Sequence, residues 1–391
     1  MLLLVAVLLT ACHSGDESGN SAEEDCYLEI YVYAPDRPIV TRGDVGEVKP
    51  ADAESRVHTL QIWVFKSGNG NLVGYHEATP TYLNGTTGQE VYRMKVAKAF
   101  ADAPEAVDVY VVANTASCGL TFSETTSRDD LDAAKIGKET PVVSETYFGP
   151  DEKVSAVPTG GLPMSAVLKN QPIHGSFPAL RIGTQNQMSV LRLTRAVSKL
   201  RFVLCRIKDD TSDKKLKRIN SISLSENQIP DNIWLIARET NGYTCSHGAI
   251  NYLSSSIAKA DIPEVDDPLT YVYATQTAQE YEDLIDAAIN HEEDGVKKPL
   301  LKEVGLTYLR ESDKQLTGTI NYTTTVNYTT TEKTEEVTFS MAAPGDFLRN
   351  HSWIVYIYYL GKKIHVHVVT HIGMKSWTSD NNDDNLYIYN W

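Results

Sequence analysis

The chain has 391 residues, 42% of them hydrophobic, which is too long for one ordinary core and enough for two domains of under about 200 residues each. Its formal net charge of -15 excludes nucleic acid and anionic lipid headgroups as main partners, because either would need a basic patch to displace counterions.

The opening MLLLVAVLLTAC is an apolar run of about ten residues, short of the roughly 20 that span a bilayer as a permanent helix, so residues 1–11 read as a signal peptide. No Lys or Arg precedes its apolar core. Leu9, Thr10, Ala11 and Cys12 fit a bacterial lipobox, which makes Cys12 the expected lipidated N-terminus of the mature chain. Several acyl chains on one cysteine, at about 0.8 kcal/mol per buried methylene, would tether the protein to a membrane without spanning it. Residues 12–25 are small, polar and acidic, a flexible tether with nothing to bury.

Period-two alternation then dominates. It marks strands at 27–33, 58–65, 90–96 and 107–114, and again at 199–207, 220–225, 316–328, 352–360 and 363–369. Ser67-Gly68-Asn69-Gly70 and Asn84-Gly85 read as turns between them. Helical periodicity is confined to 277–290, where Tyr281, Leu284, Ile285 and Ala288 share a face, and to 127–136. Strands without regular intervening helices favour antiparallel β-sandwiches over a parallel sheet. The Gly/Pro/Asn/Gln-rich stretch around Pro172, Pro178 and Gly183 puts the expected boundary near 187, giving domains 26–187 and 188–391. Cys26, Cys118, Cys205 and Cys245 lack metal-ligand spacing, so no metal or other cofactor is expected, and disulfides and buried free thiols both stay open.

Several segments in order carry a family resemblance: ESRVHTLQIWVFKSGNG (54–70), DVYVVANTA (108–116), GLPMSA (161–166), LTRAVSKLRFVL (193–204) and FLRNHSWIVYIYYLGKKIHVHV (347–368). Together they resemble the FimA/Mfa1 fimbrillins of Bacteroidales, with Ser198 at a position usually alanine and Trp353 at an aromatic position. The resemblance implies an all-β chain of two transthyretin-like antiparallel β-sandwich domains decorated by short helices. It also implies a subunit of a cell-surface fimbrium, carried to the outer membrane as a lipoprotein. In that scheme an arginine-specific protease cuts the loop after the first strand, and a C-terminal strand of a neighbouring subunit fills the groove left behind.

The residues fit that scheme. CYLEIYVYAP (26–35) puts Leu28, Ile30 and Val32 on one face and Tyr27, Glu29, Tyr31 and Tyr33 on the other, so the first face is expected to line a groove once the strand leaves. The following Pro-, Gly- and charge-rich stretch 34–55 has no strand pattern and reads as an accessible loop. It holds Arg37, which Pro38 shields from trypsin-like cleavage, and Arg42 before Gly43, the expected processing site; Arg56 sits close to the next strand. At the other end an acidic linker, 379–385, precedes LYIYNW (386–391), whose Leu386 and Ile388 suit either a donor strand or an edge strand of the second domain.

Competing constellations are weaker. Arg42-Gly43-Asp44 spells an integrin-type tripeptide, which any loop can carry. His365, His367 and His371 alternate along one strand and could approach zinc, but they read as residues on the wet face of that strand. No nucleophile elbow, P-loop, metalloprotease helix or dinucleotide fingerprint is present in the sequence, and no enzymatic activity is expected. The expected partners are other fimbrial subunits, as homopolymer or hetero-assembly, the outer membrane through the lipid anchor before processing, and the protease. The alternative is a monomeric lipid-anchored surface protein, either a fimbrial anchor or an adhesin for a glycan or host protein. A secreted metal-dependent hydrolase using the histidine strand is a distant third.

Overall fold

The computed structural model describes residues 25–34, 53–85, 88–137, 148–149, 154–176, 178–208, 213–238, 242–272, 278–326, 331–342, 345–372 and 387–389. The fold is all-β, with two sandwiches and a few short helices.

The first sandwich has two five-stranded sheets. One is centred on β1 (Cys26–Tyr33), and the other contains β2 (Leu60–Lys66), β3 (Leu72–Ala78) and, past β4 (Gln89–Val96) in sequence, β5 (Val107–Ala113). β2 and β3 form the hairpin expected at Ser67–Gly70, where Gly70 takes φ of +72° and donates to the Lys66 carbonyl at 2.8 Å. The short β6 (Lys135–Gly137) follows, then β7 (Met164–Gln171) beside β5, and β8 (Ile173–Ser176), β9 (Ala179–Ile182) and β10 (Val190–Arg192) in the sheet of β1. The helix Arg128–Ala133 is shorter than its periodicity suggests, and opens with a capping box between Ser127 and Asp130.

The second sandwich is built on β11 (Val197–Ile207), which pairs with β14 (Lys302–Arg310) and β17 (His351–Leu360). β18 (Lys363–Ile372) extends that sheet beyond β17, and β19 (Tyr387–Tyr389) pairs with β18. The facing sheet holds β12 (Lys214–Leu224), β15 (Leu316–Val326) and β16 (Glu332–Ala342). β13 (Asn232–Trp234) leaves this domain and pairs with β6.

Three departures from simple alternation have physical causes. Parallel pairs occur where chain-distant strands meet: β1 with β9 and β10, and β11 with β17. Their connections cross through the other sheet, so no hairpin forces opposite directions. Secondly, β11 and β17 are buried on both faces. Leu200, Phe202 and Leu204 face the sandwich interior, while Val203 and Cys205 lie in a separate cluster with Tyr281, Ile285 and Ala288 of the helix Ala278–Ile289. That helix adds a third layer, which is why a polar-looking face of β11 is not solvated. Thirdly, Ile233, Leu235, Ile236 and Tyr308 join the hydrophobic cluster of the first sandwich, so the two cores are interleaved by sequence.

The expected two-faced reading of the histidine strand needs correction. His367 is 3% exposed and His365 half-buried, ring-stacked on Tyr358, because the face carrying them is the one turned toward the helix layer, where Tyr358 and Val369 are buried. Burial lowers the pKa of both imidazoles, and among the described residues no His, Cys, Asp or Glu group has a geometry that could hold a metal. Cys26, Cys118, Cys205 and Cys245 are free thiols, and burial pushes Cys118 and Cys205 up to about 12.

The β6–β13 ladder depends on Gly137, whose φ is +144° and whose Cβ, if it had one, would lie 2.2 Å from the Asp231 carbonyl oxygen. Gly137→Ala is therefore expected to cost about 2–4 kcal/mol and to lower the urea midpoint, whereas Gly68→Ala, with open space around it, changes that midpoint little.

Candidate functional site

β1 is an interior strand. β4 pairs with all eight of its residues on one side, Cys26↔Val96 through Tyr33↔Gln89. On the other side β9 covers Tyr27–Glu29 and β10 covers Tyr31–Tyr33. Its ends are fastened by Tyr27 donating to the Pro178 carbonyl at 2.9 Å and Ala34 donating to that of Gly88 at 2.8 Å. Leu28, Ile30 and Val32 are fully buried, as the alternation predicts, and Cys26 joins them. At about 1.5–3 kcal/mol per buried aliphatic side chain, the first three alone contribute roughly 5 to 9 kcal/mol. Removing the strand would also expose backbone donors and acceptors of β4, β9 and β10.

The outer face of β1 is less solvated than its sequence suggests: Glu29 is 5% exposed, held by Arg93 of β4 and Arg181 of β9, and Tyr33 is buried. A glutamate in the middle of an apolar strand was the available signal, but its two arginine partners lie 64 and 152 residues away.

Arg42 and Gly43 lie outside the described residues, as do Cys12 and Leu386. The described chain resumes at the 3-10 turn Ala53–Ser55, and there the fold is tightly fastened. Arg195, fully buried, donates from Nε to the Glu54 carbonyl at 2.8 Å and from Nη2 to Ser55 Oγ at 2.9 Å. Its Nη1 donates to Asn350 Oδ1 at 2.8 Å. The Glu54 carboxylate accepts from Tyr308 Oη and from Lys199 Nζ, both at 2.7 Å, and Lys199 also reaches Glu282 at 2.9 Å. Burial opposes the charge on Lys199, but the Glu282 and Glu54 carboxylates outweigh it and raise its pKa.

Two asparagines continue the fastening. Asn114, at φ of +57° after β5, accepts from the His58 N–H at 2.8 Å and the Thr59 N–H at 3.3 Å. Its Nδ2 donates to the Arg56 and Leu162 carbonyls at 2.8 and 2.9 Å. Asn84 brackets Val57, accepting from its N–H at 2.8 Å and donating to its carbonyl at 2.7 Å. The segments carrying the family resemblance thus meet at one place: 54–59, Asn114, Leu162, Arg195, Lys199 and Asn350 all converge on the stretch that follows the loop. Arg349 beside them pairs with Glu311 and donates to the Trp234 and Leu235 carbonyls.

Of the expected donor strand, Ile388 lies in β19 with its backbone opposite Val369. β19 matches three of the ten residues of β18.

An interior strand, β1, thus precedes a chain segment held by side-chain hydrogen bonds from several elements. Residues 29–187 match the family described as "Major fimbrial subunit protein (FimA)", and the resemblance to FimA/Mfa1-type fimbrillins is borne out over that region. The likeness is to a major fimbrial subunit and covers residues 29–187 of this chain. Solved structures similar to it include the tip fimbrial protein Mfa3 from Porphyromonas gingivalis with C-terminal truncation, at 16% identity and TM-score 0.47, covering 88% of this chain and 99% of that one. A putative cell adhesion protein from Bacteroides eggerthii DSM 20697 is 12% identical with TM-score 0.47, covering 91% and 98%. A fimbrial assembly protein from Parabacteroides distasonis ATCC 8503 is 11% identical with TM-score 0.38, covering 94% and 100%. No curated protein is similar enough to match.

The Arg56 side chain is exposed, yet the carbonyl of its peptide bond to Val57 is held by Asn114 and the amide by Asn84. A protease needs several residues in extended form around the scissile bond, so Arg56 is expected to resist trypsin in the native chain. The Asn84→Ala/Asn114→Ala variant should be cut there at least about tenfold faster, as read by mass spectrometry of timed digests, since it loses hydrogen bonds worth roughly 1 kcal/mol each.

Proposed function

We propose that this chain is exported as a lipoprotein through Cys12, is cut by an arginine-specific protease between Arg42 and Gly43, and assembles into a surface fimbrium by strand exchange. The observation that carries the reading is that β1 fills an interior slot between β4 and β9/β10 while its connection to the remaining fold runs through residues 35–52. One cut in that connection converts β1 from a covalent part of the sheet into a bound peptide. Its loss opens a groove lined by the former neighbours of Leu28, Ile30 and Val32. Extended chain is the natural occupant, because backbone pairing on both sides and apolar side chains at alternate positions meet its needs together.

The processed subunit then offers a groove at one end and, through residues 386–391 with Leu386 and Ile388, a strand for a neighbouring subunit. The acidic linker 379–385 gives that strand its reach. Domains 26–187 and 188–391 act as one unit in this scheme, since the second lends Ile233, Leu235, Ile236 and Tyr308 to the first core.

A second reading is favoured by the seating of β19 on β18 of its own chain. A subunit that keeps both β1 and β19 in place is a lipid-anchored terminal or anchoring component, or a surface adhesin.

Limited trypsin digestion of the full lipid-free chain separates the two. The exchange reading expects a first cut after Arg42, release of residues 26–42 and formation of oligomers visible in native mass spectrometry, reduced when residues 386–391 are deleted. A loop that resists cleavage, or a cut chain that stays monomeric with β1 bound, establishes the anchored reading instead.

A further inference from the structure

The slot that β1 occupies carries a charge requirement. Glu29 sits at one rung of the sheet with Arg93 opposite it on β4 and Arg181 opposite it on β9. Its Oε1 accepts from Arg93 Nε at 3.1 Å and lies 3.0 Å from Arg93 Nη2, while Oε2 accepts from Arg181 Nε at 3.0 Å. The glutamate side chain is 6% exposed, whereas the two arginines are 71% and 47% exposed and extend over the outer face of the sheet. Lys95 of β4 stands opposite Tyr27 and pairs with Asp25, and Arg192 of β10 stands opposite Tyr33. Both banks of the slot are cationic, and the carboxylate between the two arginines belongs to the strand that the proposed cut removes.

Once β1 has gone, Arg93 and Arg181 face each other across the width of one missing strand, about 10 Å from bank to bank. Neither can neutralise the other. We infer, resting on the strand-exchange reading, that the groove selects an incoming strand of another fimbrial subunit bearing Asp or Glu on its outward face between two inward aliphatic residues, in the place of Leu28-Glu29-Ile30.

The chain's own C-terminal segment fits that requirement poorly. In DDNLYIYNW (383–391) the acid sharing the outward parity of Tyr387 and Tyr389 is Asp383. Seating Asp383 between the arginines turns its neighbours Asn382 and Asp384 into the apolar core, which costs more than the ion pair returns. Seating Leu386 and Ile388 in the core instead puts a tyrosine between the guanidiniums. Self-donation is therefore the weaker pairing, and a different subunit with an acid at the central rung outcompetes it.

The test uses the full chain cut in its loop by trypsin and stripped of residues 26–42, with fluorescein-labelled peptides that copy residues 25–34, either unchanged, with Glu29→Gln, or with Glu29→Lys, followed by fluorescence anisotropy. The unchanged peptide is expected to bind about tenfold more tightly than the Gln form, with the Lys form weaker still. On the Arg93→Ser/Arg181→Ser variant, or on the parent in about 1 M salt, the preference for Glu over Gln should shrink to about twofold or less. Equal binding of the Glu and Gln peptides, or a preference that survives both the double substitution and the salt, overturns the charge requirement alone. Entry of no peptide of any sequence overturns strand exchange itself, and this inference with it.

Discussion

The guanidinium of Arg195 is the interaction on which the remaining architecture depends. It lies fully buried beside Met164 of β7 at the edge of the first sandwich, two residues before β11, and holds the Glu54 carbonyl, the Ser55 hydroxyl and the Asn350 amide oxygen at once. A buried guanidinium is tolerable only when such acceptors surround it, and leaving it without them would cost several kcal/mol. The acceptors come from the segment after the loop and from the entry to β17, so satisfying one side chain fixes how the loop end, the first core and the second core meet. Lys199, four residues on, repeats the arrangement by joining Glu54 to Glu282 of the helix layer.

That arrangement divides the N-terminal region into two parts held in different ways. Residues 54–59 are tied down by Arg195, Lys199, Tyr308, Asn84 and Asn114 through side chains from both sandwiches. β1 is held by backbone pairing, by the burial of a few aliphatic side chains and by the Glu29 rung. A strand held by generic pairing can be replaced by another strand, whereas a segment held by specific side-chain hydrogen bonds cannot leave without leaving buried polar groups unpaired. The proposed processing site falls between the two parts.

Much of this was legible in the sequence and some was not, for identifiable reasons. The aliphatic positions Leu28, Ile30 and Val32 and the strand runs at 90–96, 107–114 and 352–360 followed from period two, because each has one face in a sandwich core. β12 begins six residues earlier than expected, since its Lys-rich start carries register shifts and its cations pair with Glu332 and Glu335 of β16. The histidine strand was misread because the layer that buries it, the helix Ala278–Ile289, is distant in sequence and packs on the face assumed wet. The roles of Arg93, Arg181, Asn84 and Asn114 could not be read, because each acts on a residue at least 27 positions away with no local pattern to mark it.

Hydrogen–deuterium exchange on the loop-cut chain, before and after residues 26–42 are stripped from it, tests the central claim most directly. The account predicts that loss of β1 accelerates exchange in β4 and in residues 179–192 while 54–59 and β5 keep their protection. Collapse of protection across the whole first sandwich, or unchanged protection in β4, would contradict it.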